Sequence, residues 1–124
     1  LVWHAFDDMK GGEIYVKKIP SMKVTDVALA VDDNTKQEEV GIRPGEKLHE
    51  QMIGIEDALY TYEYPENFKI LPSINDWAKD EARIGDGIRV PEDFTYTSNN
   101  NKEWMEISEL KEWIKKNKSK IGNI

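Results

Sequence analysis

The chain has 124 residues, of which 39% are hydrophobic and 33% charged, a balance that is typical of one soluble globular domain. Its net charge of −7 argues against a general nucleic-acid binder, which needs a basic surface to contact phosphates. No apolar stretch reaches the roughly 20 residues that cross a bilayer, and nothing resembles a secretory signal. The absence of cysteine excludes disulfides and thiolate sites, and it fits a cytoplasmic protein.

The first ten residues predict an amphipathic helix that is already running at residue 1. Leu1, Ala5 and Met9 share a helical spacing, and no capping residue precedes them. Gly11 and Gly12 then provide a helix stop. We therefore expect a chain that is truncated at its N-terminus, inside or just before a helix.

Short strands and helices are predicted next. β-Branched and aromatic residues indicate a strand over residues 13–19, and a second strand is predicted over residues 38–42. Between them, Thr25 is expected to cap a helix whose apolar residues follow the helical period: Val24, Val27, Ala28 and Val31. A turn over residues 43–47 is then expected to open into a helix that contains Leu48 and Met52.

A tyrosine-rich hairpin is predicted in the middle of the chain. Residues 59–64 and 68–71 have the composition of two strands, which Pro65, Glu66 and Asn67 would join. Three alternating tyrosines would share one face of the first strand: Tyr60, Tyr62 and Tyr64. This face could stack on a nucleobase, but packing within the hairpin is the favoured interpretation.

The second half of the chain predicts a loop, a strand and a final helix. Residues 72–91 are expected to form an extended loop with one helical turn, and residues 94–97 a strand. Trp77 and Trp104 could line a cleft or fold the loop down. Ser108 is expected to cap the last helix, whose core-facing residues would be Ile107, Leu110, Trp113 and Ile114. Short strands mixed with short helices predict an α+β fold without the regular βαβ units of a Rossmann domain.

Several catalytic and cofactor motifs are missing. The glycines do not form the G-x-G-x-x-G pattern of a dinucleotide site, and no phosphate-binding P-loop occurs. His4 and His49 do not stand in a metal-ligand pattern. None of the five tyrosines is followed by a lysine four residues later. We therefore predict no metal site, no bound cofactor and no catalytic apparatus in this chain.

The segment GIRPGEKLHE, residues 41–50, has the most chemical character. A tight turn at Pro44 and Gly45 could place Arg43 and Lys47 near a helix N-terminus, where a guanidinium group could bind phosphate oxygens. Glu46 could accept hydrogen bonds from ribose hydroxyls. The alternative is a surface turn in which Arg43 and Glu46 pair with each other, and spacing alone favours that alternative.

Five runs of sequence, taken in order, resemble one family. They are GGEIYVKKIPSMKVTD at residues 11–26, IRPGEKLHE at 42–50, YTYEY at 60–64, FKILP at 68–72 and YTSN at 96–99, followed by Trp104. They are similar to the C-terminal domain of the inverting UDP-N-acetylglucosamine 4,6-dehydratases. This bacterial family of extended short-chain dehydrogenases/reductases is often labelled polysaccharide biosynthesis or CapD-like. The similarity spans nearly the whole chain.

The resemblance implies a lyase that makes modified sugars for capsule, O-antigen or flagellin glycosylation. The full-length enzyme uses NADP to oxidise C4 of UDP-N-acetylglucosamine, eliminates water across C5 and C6, returns hydride to C6 and inverts C5. By this resemblance Arg43 would contact the diphosphate or ribose, Glu46 the ribose hydroxyls, and Lys47 would support the loop. NADP and the catalytic residues belong to an N-terminal Rossmann domain, which this sequence lacks.

The resemblance therefore predicts that residues 1–124 form a single substrate-binding domain. We expect it to be inactive alone and to bind a UDP-sugar together with the missing Rossmann domain. An alternative is a stand-alone module that binds a nucleotide sugar or a protein without catalysis. A third interpretation is self-association, because the first helix would expose Val2, Trp3 and Phe6 as an apolar patch.

Overall fold

The computed structural model describes residues 1–74 and 80–121, and it has the α+β fold that the sequence predicts. The helices are α1 (Val2–Asp8), α2 (Val24–Val31), α3 (Glu81–Ile84) and α4 (Ile107–Ile121), with a 3₁₀-helix at Ile55–Tyr60. The strands are β1 (Ile14–Lys17), β2 (Gln51–Ile53), β3 (Thr61–Glu63), β4 (Asn67–Ile70), β5 (Ile88–Arg89) and β6 (Tyr96–Thr97). Within these described ranges, no helix has the length and apolar character needed to span a membrane.

The elements form two compact units. Unit 1 consists of residues 1–19 and 51–100, and unit 2 consists of residues 20–50 and 101–124. Unit 1 contains an antiparallel sheet with the strand order β1-β4-β3-β5, and a separate antiparallel pair of β2 with β6. Unit 2 is built on the packing of α2 against α4.

The core of unit 1 lies against β4. Every residue of β4 is buried, and β1 and β3 flank the strand on both sides. Phe68 on β4 contacts the rings of Phe94 and Tyr96 at centroid distances of 5.2 and 5.1 Å. The hydroxyl of Tyr96 donates to the carbonyl of Ile19 at 3.0 Å and accepts from the Ile19 N–H at 2.9 Å. Burial of such side chains contributes roughly 2–3 kcal/mol each.

Unit 2 has a small apolar core and several backbone links. Ala30 of α2 and Leu110 of α4 are buried. The Ser21 N–H donates to the Glu103 carbonyl at 2.8 Å, and the Ser21 carbonyl accepts from the Met105 N–H at 2.9 Å. These bonds join the segment before α2 to the segment before α4, so the N-terminal ends of the two helices of unit 2 are connected through the backbone.

Several of the predicted local patterns are confirmed. A helix occupies the first residues and ends before Gly11, and β1 lies inside the predicted strand. The hairpin has β3 and β4 as its strands, although Tyr60 belongs to the 3₁₀-helix. The predicted loop over residues 72–91 contains the expected helical turn as α3, and it also contains β5, while residues 75–79 lie outside the described part of the chain.

Both predicted helix caps were wrong. Thr25 lies inside α2, which begins after Lys23 without a side-chain cap. Ser108 is the second residue of α4, whose first turn is instead satisfied by Glu109, since its carboxylate accepts from the Glu106 N–H at 2.9 Å. Both helices therefore start two residues earlier than caps at Thr25 and Ser108 would place them.

The strand predicted over residues 38–42 and the helix predicted after residue 47 are also wrong. Residues 36–50 contain neither strand nor helix, and every one of them is exposed. Met52 belongs to β2, which pairs with β6. A strand needs a neighbour with which to pair its backbone groups, and no strand of the described sheets pairs with residues 38–42.

Candidate functional site

The turn at residues 43–46 brings two of the predicted site residues together. Glu46 accepts a hydrogen bond from the Arg43 N–H at 2.9 Å through Oε2, and its Oε1 lies 3.4 Å from Arg43 Nε. The Glu46 N–H donates to the Arg43 carbonyl at 3.1 Å. Gly45 has a φ of +87°, a conformation that favours glycine. The turn is therefore a closed backbone loop that holds a guanidinium group beside a carboxylate.

The guanidinium group of this turn faces solvent. The side chain of Arg43 is 80% exposed and that of Glu46 is 49% exposed. Lys47 is also exposed and forms no hydrogen bond or ion pair with residues 1–74 or 80–121. An exposed pair of this kind contributes at most about 1 kcal/mol to stability. The turn therefore offers two accessible cations, Arg43 and Lys47, and the structure brings only the first of them against Glu46.

A second group of ionisable residues, in unit 1, was not predicted from the sequence. The ammonium group of Lys69 lies 2.5 Å from Asp8 Oδ2 and donates to the Arg83 carbonyl at 2.8 Å. It lies between the rings of Tyr15 and Tyr64, at 5.6 and 5.0 Å from their centroids. We call these four residues, Asp8, Tyr15, Tyr64 and Lys69, the lysine–tyrosine cluster.

The pKa values of the lysine–tyrosine cluster reflect burial and pairing. Burial alone would raise the pKa of Asp8, but hydrogen bonds from Lys69 and Tyr15 outweigh it and lower the pKa. Burial and the Asp8 carboxylate together raise the pKa of Tyr15 far above its usual value. Burial also raises the pKa of Tyr64, although Lys69 opposes the rise. A phenol with a raised pKa remains protonated at neutral pH and cannot act as a general base. The cluster is therefore better suited to a structural role than to proton transfer.

The tyrosine stripe behaves as the packing interpretation predicts. Tyr62 is buried, and the hydroxyl of Tyr64 donates to the Ile84 carbonyl at 2.6 Å. Tyr60 packs against the apolar core of unit 1. In unit 2, the indole N–H of Trp104 donates to the Asn101 carbonyl at 2.9 Å, while Trp77 lies outside the described residues.

A buried ion pair joins the glycine turn to α3. The carboxylate of Glu13 contacts the guanidinium of Arg83 and accepts from the N–H groups of Lys10 and Gly11 at 3.1 and 2.7 Å. Burial would raise the pKa of Glu13, but these hydrogen bonds and the guanidinium lower it. Glu13 and Arg83 are 70 residues apart in the sequence. No local sequence pattern could therefore have predicted this ion pair.

The glycines of the described residues do not stand where a dinucleotide loop would need them. A dinucleotide loop needs glycines between a strand and the N-terminus of a following helix. The glycines with positive φ lie elsewhere: Gly11 and Gly12 before β1, Gly41 and Gly45 in the irregular segment, and Gly85 after α3. No group of three or more potential ligands, whether histidine or carboxylate, occurs within the described ranges.

Comparison with known proteins gives a consistent result. A sequence model of the family described as polysaccharide biosynthesis protein matches residues 1–72. The chain is 45% identical, over 114 residues, to the UDP-N-acetylglucosamine 4,6-dehydratase (inverting) of Campylobacter jejuni serotype O:2, an alignment that covers 88% of this chain and 34% of that protein. It is 44% identical over 110 residues to the protein of the same name from serotype O:23/36, with coverages of 85% and 33%. The chain thus spans about a third of the length of these curated relatives.

A solved structure has a similar fold. Pen from Bacillus thuringiensis matches 92% of this chain and 33% of its own chain, with a TM-score of 0.70 and 25% sequence identity. The α+β architecture described above therefore occurs as one part of a protein about three times as long.

Proposed function

The chain belongs to the polysaccharide biosynthesis protein family, and we propose that it provides the UDP-sugar-binding part of a UDP-N-acetylglucosamine 4,6-dehydratase, a lyase of bacterial surface-sugar biosynthesis. The similarity to two inverting dehydratases supports a role in the synthesis of polysaccharide sugars. Within this role, the turn at residues 43–47 would bind the nucleotide end of the substrate.

The observation that carries this proposal is the exposed guanidinium of Arg43. Glu46 lies beside its Nε, and the Arg43 side chain is 80% exposed, which leaves its two terminal nitrogens open to a ligand. Those nitrogens form the part of a guanidinium group that binds two phosphate oxygens at once. Lys47 can add a second positive charge beside it. A diphosphate would therefore meet two cations on a turn whose backbone is already closed.

Glu46 has two roles in this proposal. Its carboxylate orients Arg43 by accepting from the backbone N–H and by lying beside Nε. The carboxylate is about half exposed, so it can also accept a hydrogen bond from a ribose hydroxyl. Replacing Glu46 would consequently affect both the ribose contact and the orientation of Arg43.

We further propose that the chain is catalytically inactive alone and works in the cytoplasm with a Rossmann domain. The resemblance assigns NADP and the catalytic groups to that domain, and the glycines described above do not form a dinucleotide loop. A lysine does contact tyrosine rings in the lysine–tyrosine cluster, but that lysine, Lys69, is already paired with Asp8. An assay of dehydration with UDP-N-acetylglucosamine and NADP should therefore detect no product unless the partner domain is added.

An NMR titration tests the binding site. UDP-N-acetylglucosamine should cause saturable shifts at residues 43–47 of the wild-type chain, and Arg43→Ala should abolish them. Arg89→Ala is the matched control, because Arg89 is exposed on β5 in unit 1 and its loss changes the net charge equally. Equal weakening by both variants, or saturable shifts that exclude residues 43–47, would refute the assignment. Shifts that appear only after the Rossmann domain is added would favour a site shared with that domain.

A second candidate function, protein interaction or self-association, is favoured by α1. This helix turns its polar side to the sheet, where Asp8 binds Lys69 and His4 contacts the Tyr15 ring at 6.1 Å. Its apolar side faces solvent, with Trp3 exposed to 82%, Phe6 to 67% and Val2 to 66%. An apolar helix face that is left uncovered is a typical protein-binding surface.

Sedimentation over a range of concentrations tests this second candidate. The wild-type chain should show a mass that rises with concentration, and Trp3→Ser should remain monomeric. Trp113→Ser is the control, because Trp113 is a half-exposed tryptophan on α4 in unit 2. A wild-type chain that stays monomeric at the highest concentration would refute self-association through α1.

A further inference from the structure

Unit 2 contains a groove between α2 and α4 that none of the preceding assignments uses. It has a volume of about 400 Å³, within the size range of sites for small molecules. Its lining consists of Val31, Asp32, Lys111, Ile114, Lys115 and Lys118. Two aliphatic side chains are thus accompanied by three lysines and one carboxylate.

The three lysines follow the geometry of α4. Lys111, Lys115 and Lys118 are separated by four and three residues, a spacing that places them on one flank of a helix. The two other lysines of the helix, Lys116 and Lys120, do not line the groove. With five lysines and two glutamates, α4 carries a net charge of +3 in a chain whose net charge is −7. Positive charge is therefore concentrated beside this groove.

Both carboxylates at the end of α2 already have partners. Asp33 lies 2.5 Å from the ammonium group of Lys111, and Asp32 accepts from the Asn34 N–H at 2.9 Å. Lys115 and Lys118, in contrast, form no hydrogen bond or ion pair with any residue in the described ranges. Two unused ammonium groups, about one helical turn apart, thus lie beside Val31 and Ile114.

We propose that this groove binds a phosphate monoester that carries an aliphatic chain. The phosphate would lie between the ammonium groups of Lys115 and Lys118, since lysine binds phosphate as a point charge. The aliphatic chain would cover Val31 and Ile114, which the groove leaves accessible. The ligand is a free small molecule and not a bilayer, because these apolar side chains line a recess, whereas a membrane-bound helix projects its apolar face outward.

Octyl phosphate is a suitable probe for the intact chain. It should cause saturable NMR shifts of the Val31 and Ile114 methyl groups, and both inorganic phosphate and octanol should bind at least about tenfold more weakly, because each lacks one half of the ligand. The variant Lys115→Gln with Lys118→Gln should weaken octyl phosphate binding by about tenfold or more. The variant Lys116→Gln with Lys120→Gln removes the same charge from the other side of α4 and should change binding less than about twofold.

Three outcomes would overturn the proposal. They are the absence of saturable methyl shifts, equal weakening by the two double variants, and tighter binding to anionic lipid vesicles than to dispersed octyl phosphate. All four lysines are exposed, so neither double variant should unfold the chain. UDP-N-acetylglucosamine titrated into the groove variant should still shift residues 43–47, which separates this site from the turn that contains Arg43.

Discussion

Removing either partner of the Asp8–Lys69 ion pair should destabilise unit 1, but by unequal amounts. The side chain of Lys69 is 5% exposed and that of Asp8 is 37% exposed. The variant Asp8→Asn leaves a buried ammonium group without its carboxylate. The variant Lys69→Met leaves a carboxylate that water can reach, and it places an apolar chain between two aromatic rings. We therefore expect Asp8→Asn to cost more stability than Lys69→Met.

The magnitudes follow from burial. Breaking a fully buried ion pair by removing one partner costs about 3–5 kcal/mol. Lys69 retains the Arg83 carbonyl at 2.8 Å and the faces of Tyr15 and Tyr64, so we expect about 2 kcal/mol for Asp8→Asn. For Lys69→Met the loss of the ammonium contacts is offset by apolar burial, and we expect about 1 kcal/mol or less.

Urea unfolding followed by circular dichroism measures both values. The control is Lys18→Met, which breaks the 2.6 Å pair between Lys18 and Glu63, where the carboxylate is half exposed. That change should cost less than about 1 kcal/mol. If Lys69→Met proves as costly as Asp8→Asn, or more so, then burial of the ammonium group does not govern the energetics of the cluster, and our reasoning is refuted.

Three further predictions concern unit 1. The pKa of Glu13 is lower in the folded chain than its unfolded value near 4.5. Its carboxylate therefore stabilises the fold above pH 4.5, and this stabilisation is lost as the pH falls through the folded pKa. The variant Glu13→Gln should consequently show a weaker decrease of melting temperature at acid pH than the wild-type chain. Gly87→Ala should lower the free energy of unfolding by about 1–3 kcal/mol, because an added Cβ would lie 2.5 Å from the Tyr64 ring. Gly54→Ala is the control for the same urea assay. It should cost less, because its Cβ would contact only the movable side chain of Glu56. Ile53→Ala should cost about 2–5 kcal/mol by urea unfolding, since Ile53 is fully buried; a loss below about 1 kcal/mol would contradict its place in the core.

Much of unit 1 could be predicted because its elements follow local patterns. The helical spacing before Gly11 and the two apolar runs around Pro65 gave α1 and the β3–β4 hairpin. In unit 2, the i,i+3 spacing of Arg43 and Glu46 likewise indicated that the two side chains could pair. In each case the residues that interact are near each other in the sequence, so the pattern contains the information.

The segment over residues 38–52 could not be predicted because its conformation depends on distant partners. Val40 and Ile42 have strand-forming side chains, but a strand also needs a partner strand. Only the end of the segment finds one, where β2 pairs with β6. Lys69 was missed for a similar reason. A lysine in an alternating strand is expected to be exposed, and only the fold brings Asp8, Tyr15 and Tyr64 around it.

The orientation of α1 links the stability of unit 1 to its proposed interaction surface. A seven-residue helix is not stable in water by itself, so α1 depends on its contacts with the rest of the chain. Those contacts include the polar ones that Asp8 and His4 make with the sheet, on the side of the helix opposite to Trp3 and Phe6. The variant Asp8→Asn should therefore weaken any association through α1 without altering the apolar patch, since a partner would first have to order the helix that presents it. In the proposed association, the ion pair of Asp8 with the buried ammonium group of Lys69 would thus determine which face of α1 a partner meets.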